Sequence, residues 1–241
     1  MKRFYVDEQL QVNSIVKIEG IEHNHIKNVM RMKVGDEIVL VCGDDYDYLA
    51  KITELSKGET KVFVSERQQN LYNPIADLTV YQALVKSDNM SLIVQKLTEL
   101  GVKTFVPFES DYITSKDKMG KVGKLQDISN QSIKQCKRSI PMDIKNTMTF
   151  GDMVKSLSQY DIVIFANECE KVESLGGITI DRTAKVAIII GSEGGFSENE
   201  IRLLNLPNVR SISLGKRILR AETAAIALSA VVISKMGEWD V

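Results

Sequence analysis

The stretch GSEGGFSENEI, residues 191 to 201, follows the apolar run KVAIII and places a carboxylate, Glu193, among glycines. Gly191, Gly194 and Gly195 leave the backbone uncovered, so that a ligand can approach its amides closely. A phosphate-binding P-loop needs a lysine that is missing here, and the dinucleotide fingerprint needs a different glycine spacing. The stretch therefore favours a ligand with hydroxyl or amine donors, or with positive charge. The alternative is a tight strand-to-helix turn whose glutamate faces water.

A second stretch that could do chemistry is SLGKRILRAETAAIAL, which begins at residue 213. Arg217 and Arg220 flank two apolar residues, so both can point toward one surface. Glu222 lies in the first turn of a helix, where the helix dipole favours a carboxylate. Both arginines belong to a basic segment that can bind phosphate, and the structural alternative is a salt bridge from one of them to Glu222 or Glu193.

Three apolar runs, each predicted to be a strand, precede candidate loops. DIVIFA ends before Asn167 and Glu168, KVAIII ends before Gly191, and VRSISL ends at Leu214, before Gly215. Strands and helices alternate from about residue 73 onward, which is typical of a parallel α/β sheet. Because ligands bind at the carboxyl ends of such strands, the three loops are expected to form one site.

Local signals predict where two helices begin or end. Ser197 and Glu200 match the S-x-x-E capping box, which predicts a helix start at Ser197. The run SDNMSLIVQKLTELG predicts a helix with Ser87 or Asp88 as N-cap and Gly101 as its stop.

Residues 1 to 70 have a different pattern, with short strands separated by turn signals and one predicted helix, EHNHIKNVMRM. This pattern is typical of a small β-barrel with a helical insertion. The change of pattern near Pro74 predicts a β-barrel domain at 1–72 and an α/β domain at 73–241.

The composition of the 241 residues, 44% hydrophobic and 26% charged, is that of an ordinary soluble protein. The apolar runs are too short for a membrane span and the amino terminus lacks a signal-peptide core, so we expect a cytoplasmic protein. The three cysteines are far apart and the two histidines have no nearby cysteine. The sequence therefore predicts neither a disulfide framework nor a metal site.

Positive charge is concentrated in two segments, although the net charge is only −1. The segment 116–145, which includes a polar helix predicted over roughly 116–138, has eight basic and three acidic residues. The segment 202–220 has five basic residues and no acidic one. Such patches can bind phosphate backbones, and a solvated basic face is the alternative.

The two loop stretches closely resemble the signature loops of the RsmE family. Members of that family are S-adenosylmethionine-dependent methyltransferases of the SPOUT superfamily that methylate uracil N3 in 16S ribosomal RNA. MKRFYV, HIKNVMRMKVGDEIVL, QALVKSDNMSLIVQKLTELGV and VPFESDYI resemble family segments in the same order, so the resemblance covers nearly the whole chain. It implies a PUA-like β-barrel followed by an α/β SPOUT domain tied in a trefoil knot. It also implies a homodimer with its interface near the cofactor pockets.

The resemblance assigns site residues to this chain. Those expected to bind the cofactor S-adenosylmethionine are Asn167, Glu168, Gly191, Glu193, Gly194, Gly195, Leu214, Gly215, Ile218 and Leu219. Asn167 stands where family members tend to have histidine, which excludes a catalytic histidine there, and Ser192 replaces the usual proline. Arg220 is expected to stabilise negative charge on the uracil oxygens, and Glu222 to orient Arg220 or accept the proton. No metal is needed for methyl transfer.

RNA contacts are expected from basic residues of both domains. They are Arg3, His25, Lys27, Arg31, Lys33, Lys137, Arg138 and Arg217. Lys137 and Arg138 belong to NQSIKQCKRSIP, a partial match to a family segment that typically reads Glu-Gln-Ser-Gly-Arg. The alternative function is a non-catalytic RNA-binding or ribosome-assembly factor that retains the SPOUT fold. A nucleotide-phosphate enzyme on a Rossmann-like sheet is disfavoured by the missing lysine and by Glu193.

Overall fold

The computed structural model describes residues 1–113, 121–167 and 175–240. The chain divides into two units, each made of two segments. Met1–Asn73 and Asn130–Pro141 form the first unit, and Pro74–Ser129 and Met142–Val241 form the second. Among the described residues, no helix combines the length and the apolar character needed to cross a membrane.

A five-stranded sheet forms the first unit. Its strands are β1 (Lys2–Tyr5), β2 (Ile15–Ile18), β3 (Glu37–Val41), β4 (Tyr46–Leu55) and β5 (Thr60–Gln69), in the order β1-β3-β4-β5-β2. Only the β1–β3 pair is parallel. Alternate side chains of these strands, such as Phe4, Ile52 and Val62, are buried in one core, as expected for a sheet with one covered face. The predicted helical insertion forms as α1 (Gly20–Asn24) followed by a π-helix (His25–Val29), and not as one regular helix.

A buried ion pair joins β1 to β4 in this unit. The side chains of Arg3 and Asp47 are 9% and 8% exposed. Arg3 Nη1 donates to Asp47 Oδ2 over 3.0 Å, and its Nη2 donates to the other carboxylate oxygen. The amide of Asn70 donates to the same carboxylate over 2.7 Å. Asp47 therefore balances the charge of a guanidinium that has little access to water.

A seven-stranded, all-parallel sheet forms the second unit. Its strands are β6 (Asp77–Ala83), β7 (Thr104–Glu109), β8 (Asp143–Ile144), β9 (Met148–Thr149), β10 (Ile162–Ala166), β11 (Lys185–Ile190) and β12 (Val209–Ile212). Their order is β12-β10-β11-β6-β7-β8, and β9 also pairs with β7. The predicted parallel α/β sheet is confirmed. Every residue of β11 from Val186 to Ile190 is buried, as expected for a central strand with both faces covered.

Helices cover both faces of this sheet. They are α2 (Ser87–Leu100), the part of α3 (Lys121–Cys136) up to Ser129, α4 (Phe150–Ser156), α5 (Glu198–Leu203) and α6 (Ala221–Lys235), with short 3-10 turns at Leu157–Gln159 and Leu175–Gly177. From Asn130 onward α3 belongs to the first unit. Ile93 of α2 and Leu228 of α6 pack in one apolar cluster. Met153 of α4 and Leu204 after α5 pack in another. The trefoil knot implied by the resemblance remains a prediction.

The predicted helix ends are partly correct. Ser197 and Glu200 form the complete capping box, with each side chain bonded to the backbone N–H of the other residue. Gly101 ends α2 with φ 103°, as predicted. The N-cap of α2, however, is Lys86, whose side chain makes no capping bond, so the assignment to Ser87 or Asp88 was wrong. Of the polar helix predicted over 116–138, Lys121–Cys136 is helical and 116–120 lies outside the described residues.

Replacement of Asp47 by alanine should destabilise the first unit by about 3 to 5 kcal/mol, because Arg3 is left buried without a counter-charge. Amide hydrogen exchange of β1, β3 and β4, followed by mass spectrometry, measures the effect. The control is the double variant Arg3→Met, Asp47→Leu, which removes both charges and should recover most of the protection. Equal loss of protection in both variants would contradict the ion-pair explanation.

Candidate functional site

Three loops meet at one end of the parallel sheet. Strands β12, β10 and β11 are neighbours, so the segments that follow them lie side by side at the carboxyl edge. Together these segments surround a cleft of about 330 Å³. Its lining comes mainly from Ala166 and Asn167 at the end of β10, from residues 190–193, 195 and 196 at the end of β11, and from residues 213–221 after β12.

The structure brings most of the predicted cofactor residues together in this cleft. Those that line it are Asn167, Gly191, Glu193, Gly195, Leu214, Gly215, Ile218 and Leu219. Arg217 and Arg220 line it as well, whereas Gly194 and Glu222 are not part of the lining. Glu168 lies outside the described residues.

The loop after β11 reverses sharply, and two of its glycines make the reversal possible. Ser192 pairs with Gly195 in an isolated β-bridge, and Gly195 adopts φ 71°, a left-handed conformation that favours glycine. The ring of Phe196 then folds back over Gly191, where a Cβ atom would lie only 2.7 Å from ring atom Cε2. The same ring packs edge-to-face on Phe165 of β10, with ring centroids 4.8 Å apart. The glycine at 191 is therefore explained by packing inside the protein.

Gly194 also allows a close contact within the protein. A Cβ at this position would lie 2.8 Å from Cβ of Tyr112 and 3.1 Å from the Tyr112 carbonyl oxygen. That carbonyl also accepts a hydrogen bond from Ser192 Oγ over 3.1 Å. The sequence suggested that Gly191 and Gly194 leave backbone amides open to a ligand. The structure does not support this explanation, because aromatic residues of the chain occupy the space beside both glycines.

A second set of hydrogen bonds fastens the same loop to the turn after β7. Glu200 is 2% exposed, and its carboxylate accepts from the N–H groups of Asp111 (2.9 Å) and Ser197 (2.8 Å). Ser197 Oγ donates to Asp111 Oδ2 over 2.6 Å. The capping box therefore does more than start α5, because its glutamate also holds the neighbouring turn. Glu193 itself is exposed at the cleft, whereas the parts of the loop before and after it are held by hydrogen bonds.

Gln82, at the end of β6, also supports this loop. It was not among the predicted site residues. Its side chain is fully buried, and Nε2 donates to the carbonyl of Gly191 over 3.1 Å. The sequence did contain a usable signal for Gln82, Asp111 and Tyr112. All three lie at the carboxyl ends of strands β6 and β7, and the rule applied to the last three strands holds for these two as well.

The loop after β12 presents cations to the cleft. Gly215 has φ 102°, and nothing lies within 4 Å of the position of a Cβ there, so its backbone conformation explains this glycine. Arg217 and Arg220 are exposed, and Arg220 is the residue immediately before α6. Within the described part of the chain, neither arginine forms a salt bridge with Glu193 or Glu222. The salt bridge that was the alternative explanation for these arginines is therefore not formed there. Ile218, which also lines the cleft, is 83% exposed.

Glu222 is 9% exposed in the first turn of α6. Its Oε2 atom is buried and makes no hydrogen bond within the described residues. A buried carboxylate oxygen without a partner is costly, and such groups call for a specific reason.

The predicted RNA-binding residues are not equally accessible. Arg31, Lys33 and Lys137 are exposed, and Arg217 is exposed at the cleft. Arg3 is ion-paired with Asp47, and Arg138 is 3% exposed, with Nε donating to the carbonyl of Ile140. An RNA contact by Arg3 or Arg138 is therefore not supported by the structure, because both guanidinium groups are buried in the first unit.

Two further predicted RNA contacts are only half-exposed. The ring of His25 packs edge-to-face on Phe4, and Lys27 Nζ donates to the carbonyl of Ser56 over 2.6 Å. In the basic segment 116–145, Lys116 and Lys118 lie outside the described residues. Among the residues that are described, no group of three or more histidine, cysteine, aspartate or glutamate side chains could hold a metal ion.

The models of two known protein families match two different segments of this chain. Residues 72–233 match the model of an RNA methyltransferase domain, and residues 18–64 match that of an RNA methyltransferase PUA domain. The ribosomal RNA small subunit methyltransferase E of Rickettsia conorii is 32% identical over 95% of this chain and 94% of its own length.

Solved structures agree in fold. A methyltransferase from Legionella pneumophila, solved with the cofactor SAM, has a TM-score of 0.89 at 25% identity and covers 96% of both chains. The ribosomal RNA small subunit methyltransferase E of Neisseria gonorrhoeae, bound to S-adenosyl methionine, has a TM-score of 0.88 at 24% identity and covers 97% of both. The latter similarity speaks for the fold alone.

Replacement of Gly194 by alanine should lower the thermal midpoint by several degrees, because the new methyl group would collide with Tyr112 Cβ and the loop must shift (about 1–3 kcal/mol for overpacking). The control is Gly58→Ala, at a glycine with open space around its Cβ position and no left-handed φ. The control should leave the midpoint unchanged or raise it slightly. Equal midpoints for both variants, measured by differential scanning fluorimetry, would show that the contact with Tyr112 is unimportant.

Proposed function

The chain belongs to the ribosomal RNA small subunit methyltransferase E family, and we propose that it uses S-adenosylmethionine to methylate 16S ribosomal RNA at N3 of a uracil. The proposal rests on the composition of the cleft. The carboxylate of Glu193 and the guanidinium of Arg220 both line it, although they come from different loops. The names of the related proteins support the reaction class and the RNA. The choice of uracil N3 rests on the resemblance of the two loops to the RsmE family.

The residues of the cleft fit S-adenosylmethionine. The cleft has the size of a small-molecule site. Leu214 and Leu219 give it apolar walls for an adenine ring, and the exposed carboxylate of Glu193 suits ribose hydroxyls or a cationic group. A phosphate-bearing ligand fits less well, since Glu193 would repel it.

S-adenosylmethionine supplies an electrophilic methyl group carried on a positively charged sulfur. The protein must place the uracil in line with that group and make its N3 nucleophilic, and positioning alone can remove a large part of the barrier. Loss of the N3 proton spreads negative charge over the uracil oxygens. The guanidinium of Arg220 is exposed at the cleft, where it stabilises this charge as it develops.

Glu222 is proposed to assist Arg220 from behind the cleft wall. It lies two residues further along the chain, and one of its carboxylate oxygens has no partner within the described residues. That oxygen is available to orient Arg220, whereas acceptance of the N3 proton requires the carboxylate to turn into the cleft, whose lining does not include Glu222. The described histidines, His23 and His25, both belong to the first unit, so neither is part of the cleft in the second.

Binding of the RNA is proposed to use the exposed cations of the first unit, Arg31, Lys33 and Lys137, together with Arg217 at the cleft. Affinity should then fall steeply with salt, because these cations release counterions from the phosphates. A cytoplasmic homodimer is proposed on the family resemblance. The exposed Ile218 is a candidate for cover by RNA or by a second subunit.

Incubation of the purified protein with S-adenosylmethionine and unmodified small ribosomal subunits should produce 3-methyluridine, detected by nucleoside mass spectrometry. A 2′-O-methylated nucleoside instead would contradict the uracil N3 assignment. Cofactor binding without any methylation would favour the non-catalytic assembly factor.

Replacement of Arg220 by alanine should lower the methylation rate about 10²- to 10³-fold, the loss typical when one donor to a developing oxyanion is removed. The dissociation constant of S-adenosylmethionine, measured by calorimetry, should stay within about threefold of wild type, because Arg220 acts on the uracil. The matched control is Arg202→Ala, which removes an exposed arginine of α5 that does not line the cleft. Wild-type turnover in the Arg220 variant would refute its role.

A further inference from the structure

An exposed tyrosine and an exposed lysine form a pair on the first unit. Tyr72 is 52% exposed, and the Nζ atom of Lys137 lies 5.1 Å from the centre of its ring. Lys137 itself is exposed, so the ammonium group retains water on its outer side. The pair comes from the two separate segments that make up this unit.

The backbone of Lys137 is held in a conformation that a lysine adopts at a cost. Its φ is 68°, in the left-handed region where glycine is preferred. The Asn70 side chain fixes this conformation, since its Nδ2 donates to the Lys137 carbonyl over 2.9 Å. Strained residues that persist at a surface are concentrated at functional sites. Glycine would satisfy this backbone better, so the lysine side chain calls for a reason beyond folding.

A buried polar network presets the pair. Asn70 is 6% exposed and also donates to the carboxylate of Asp47. Its Oδ1 accepts from the backbone N–H of Tyr72 over 2.8 Å. One asparagine therefore holds the backbone of both residues of the pair before any partner binds.

A second aromatic ring with a cation lies at the same end of the β4–β5 pair. The guanidinium carbon of Arg67 is 4.6 Å from the centre of the Tyr46 ring. Tyr46 begins β4 and stands opposite Gln69, the last residue of β5. The chain then runs through Asn70 to Tyr72. Tyr46 is half-buried and packs against the core of this unit, so Tyr72 is the more exposed ring of the two.

We propose that Tyr72 and Lys137 form a platform for a single-stranded segment of RNA. Exposed rings stack on nucleobases of any sequence, and cations beside them bind the phosphates that follow. The exposed half of Tyr72 leaves room for a base next to the ammonium group. Asp44 and Asp45 lie in the turn before β4, so this surface is not strongly basic and stacking is expected to contribute more than charge.

The proposal rests on the proposed function in one respect only, namely that the substrate is RNA. Its probe is a fluorescently labelled single-stranded RNA oligonucleotide, titrated with full-length protein and followed by anisotropy. Tyr72→Ala should weaken binding about 5- to 100-fold, the range for loss of one stacked base. Tyr72→Phe keeps the ring and should bind within about twofold of wild type, since the hydroxyl contributes little to stacking.

Lys137→Gly separates a binding role from a structural one. Glycine relieves the left-handed backbone, so the thermal midpoint should stay the same or rise. RNA affinity should fall, and the slope of log affinity against log salt should become shallower by about 0.7, the value for one lost contact to single-stranded RNA. A lower midpoint with unchanged affinity would overturn the proposal, because Lys137 would then serve only the fold.

The two proposals fail in different ways. If Tyr72→Ala binds the oligonucleotide as wild type does while wild-type protein makes 3-methyluridine, the platform is refuted and the enzymatic function stands. If Tyr72→Ala weakens binding to whole small subunits but not to naked RNA, the surface contacts a protein and the RNA platform is refuted. If oligonucleotide binding falls in Tyr72→Ala but no methylation occurs in wild type, the platform stands and the function fails.

Discussion

The cleft depends on how closely the chain after β11 can fold back on itself. The ring of Phe196 occupies the space that a Cβ at 191 would need, and Tyr112 occupies the space beside Gly194. These contacts, with Gly195 in a left-handed turn, fix the loop in one shape and leave Glu193 facing the cleft. Any side chain at 191 or 194 would push the loop away from the aromatic residues that hold it. The geometry of the site therefore follows from packing inside the protein before any ligand binds, which lowers the ordering cost of binding.

Hydrogen bonds from the ends of two neighbouring strands connect this loop to the rest of the second unit. Gln82 at the end of β6 holds the carbonyl of Gly191, and Asp111 after β7 is bonded to Glu200 and Ser197. The cations come from another direction, on the loop that leads into α6. The carboxylate loop and the arginine-bearing loop follow β11 and β12, which lie on either side of β10, and together they suit the proposed methyl transfer to a weakly acidic nitrogen. In the proposed function, the first loop binds the methyl donor and the second stabilises the charge that develops on the acceptor.

Much of this could be predicted from the sequence, because the signals are local. The capping box at Ser197 and Glu200, the stop at Gly101 and the alternation of apolar runs and helices each involve residues a few positions apart. The meeting of the three loops followed from one rule about parallel strands. The packing reason for Gly191 and Gly194 could not be predicted, since it depends on Phe196 folding back and on Tyr112, which lies far away in sequence. For the same reason the burial of Arg3 and Arg138 was missed, as a basic side chain looks alike in sequence whether it faces water or Asp47. The π-helix at His25–Val29 has no distinct pattern from which to predict it.

The central claim is that the three loops of the second unit hold S-adenosylmethionine. Hydrogen exchange with and without saturating S-adenosylmethionine, read by mass spectrometry, tests it directly. The account predicts slower exchange in residues 190–196 and 213–221, with the edge of the sheet at β8 and β9 unchanged. Protection confined to other segments, or no protection at a saturating concentration, would contradict it.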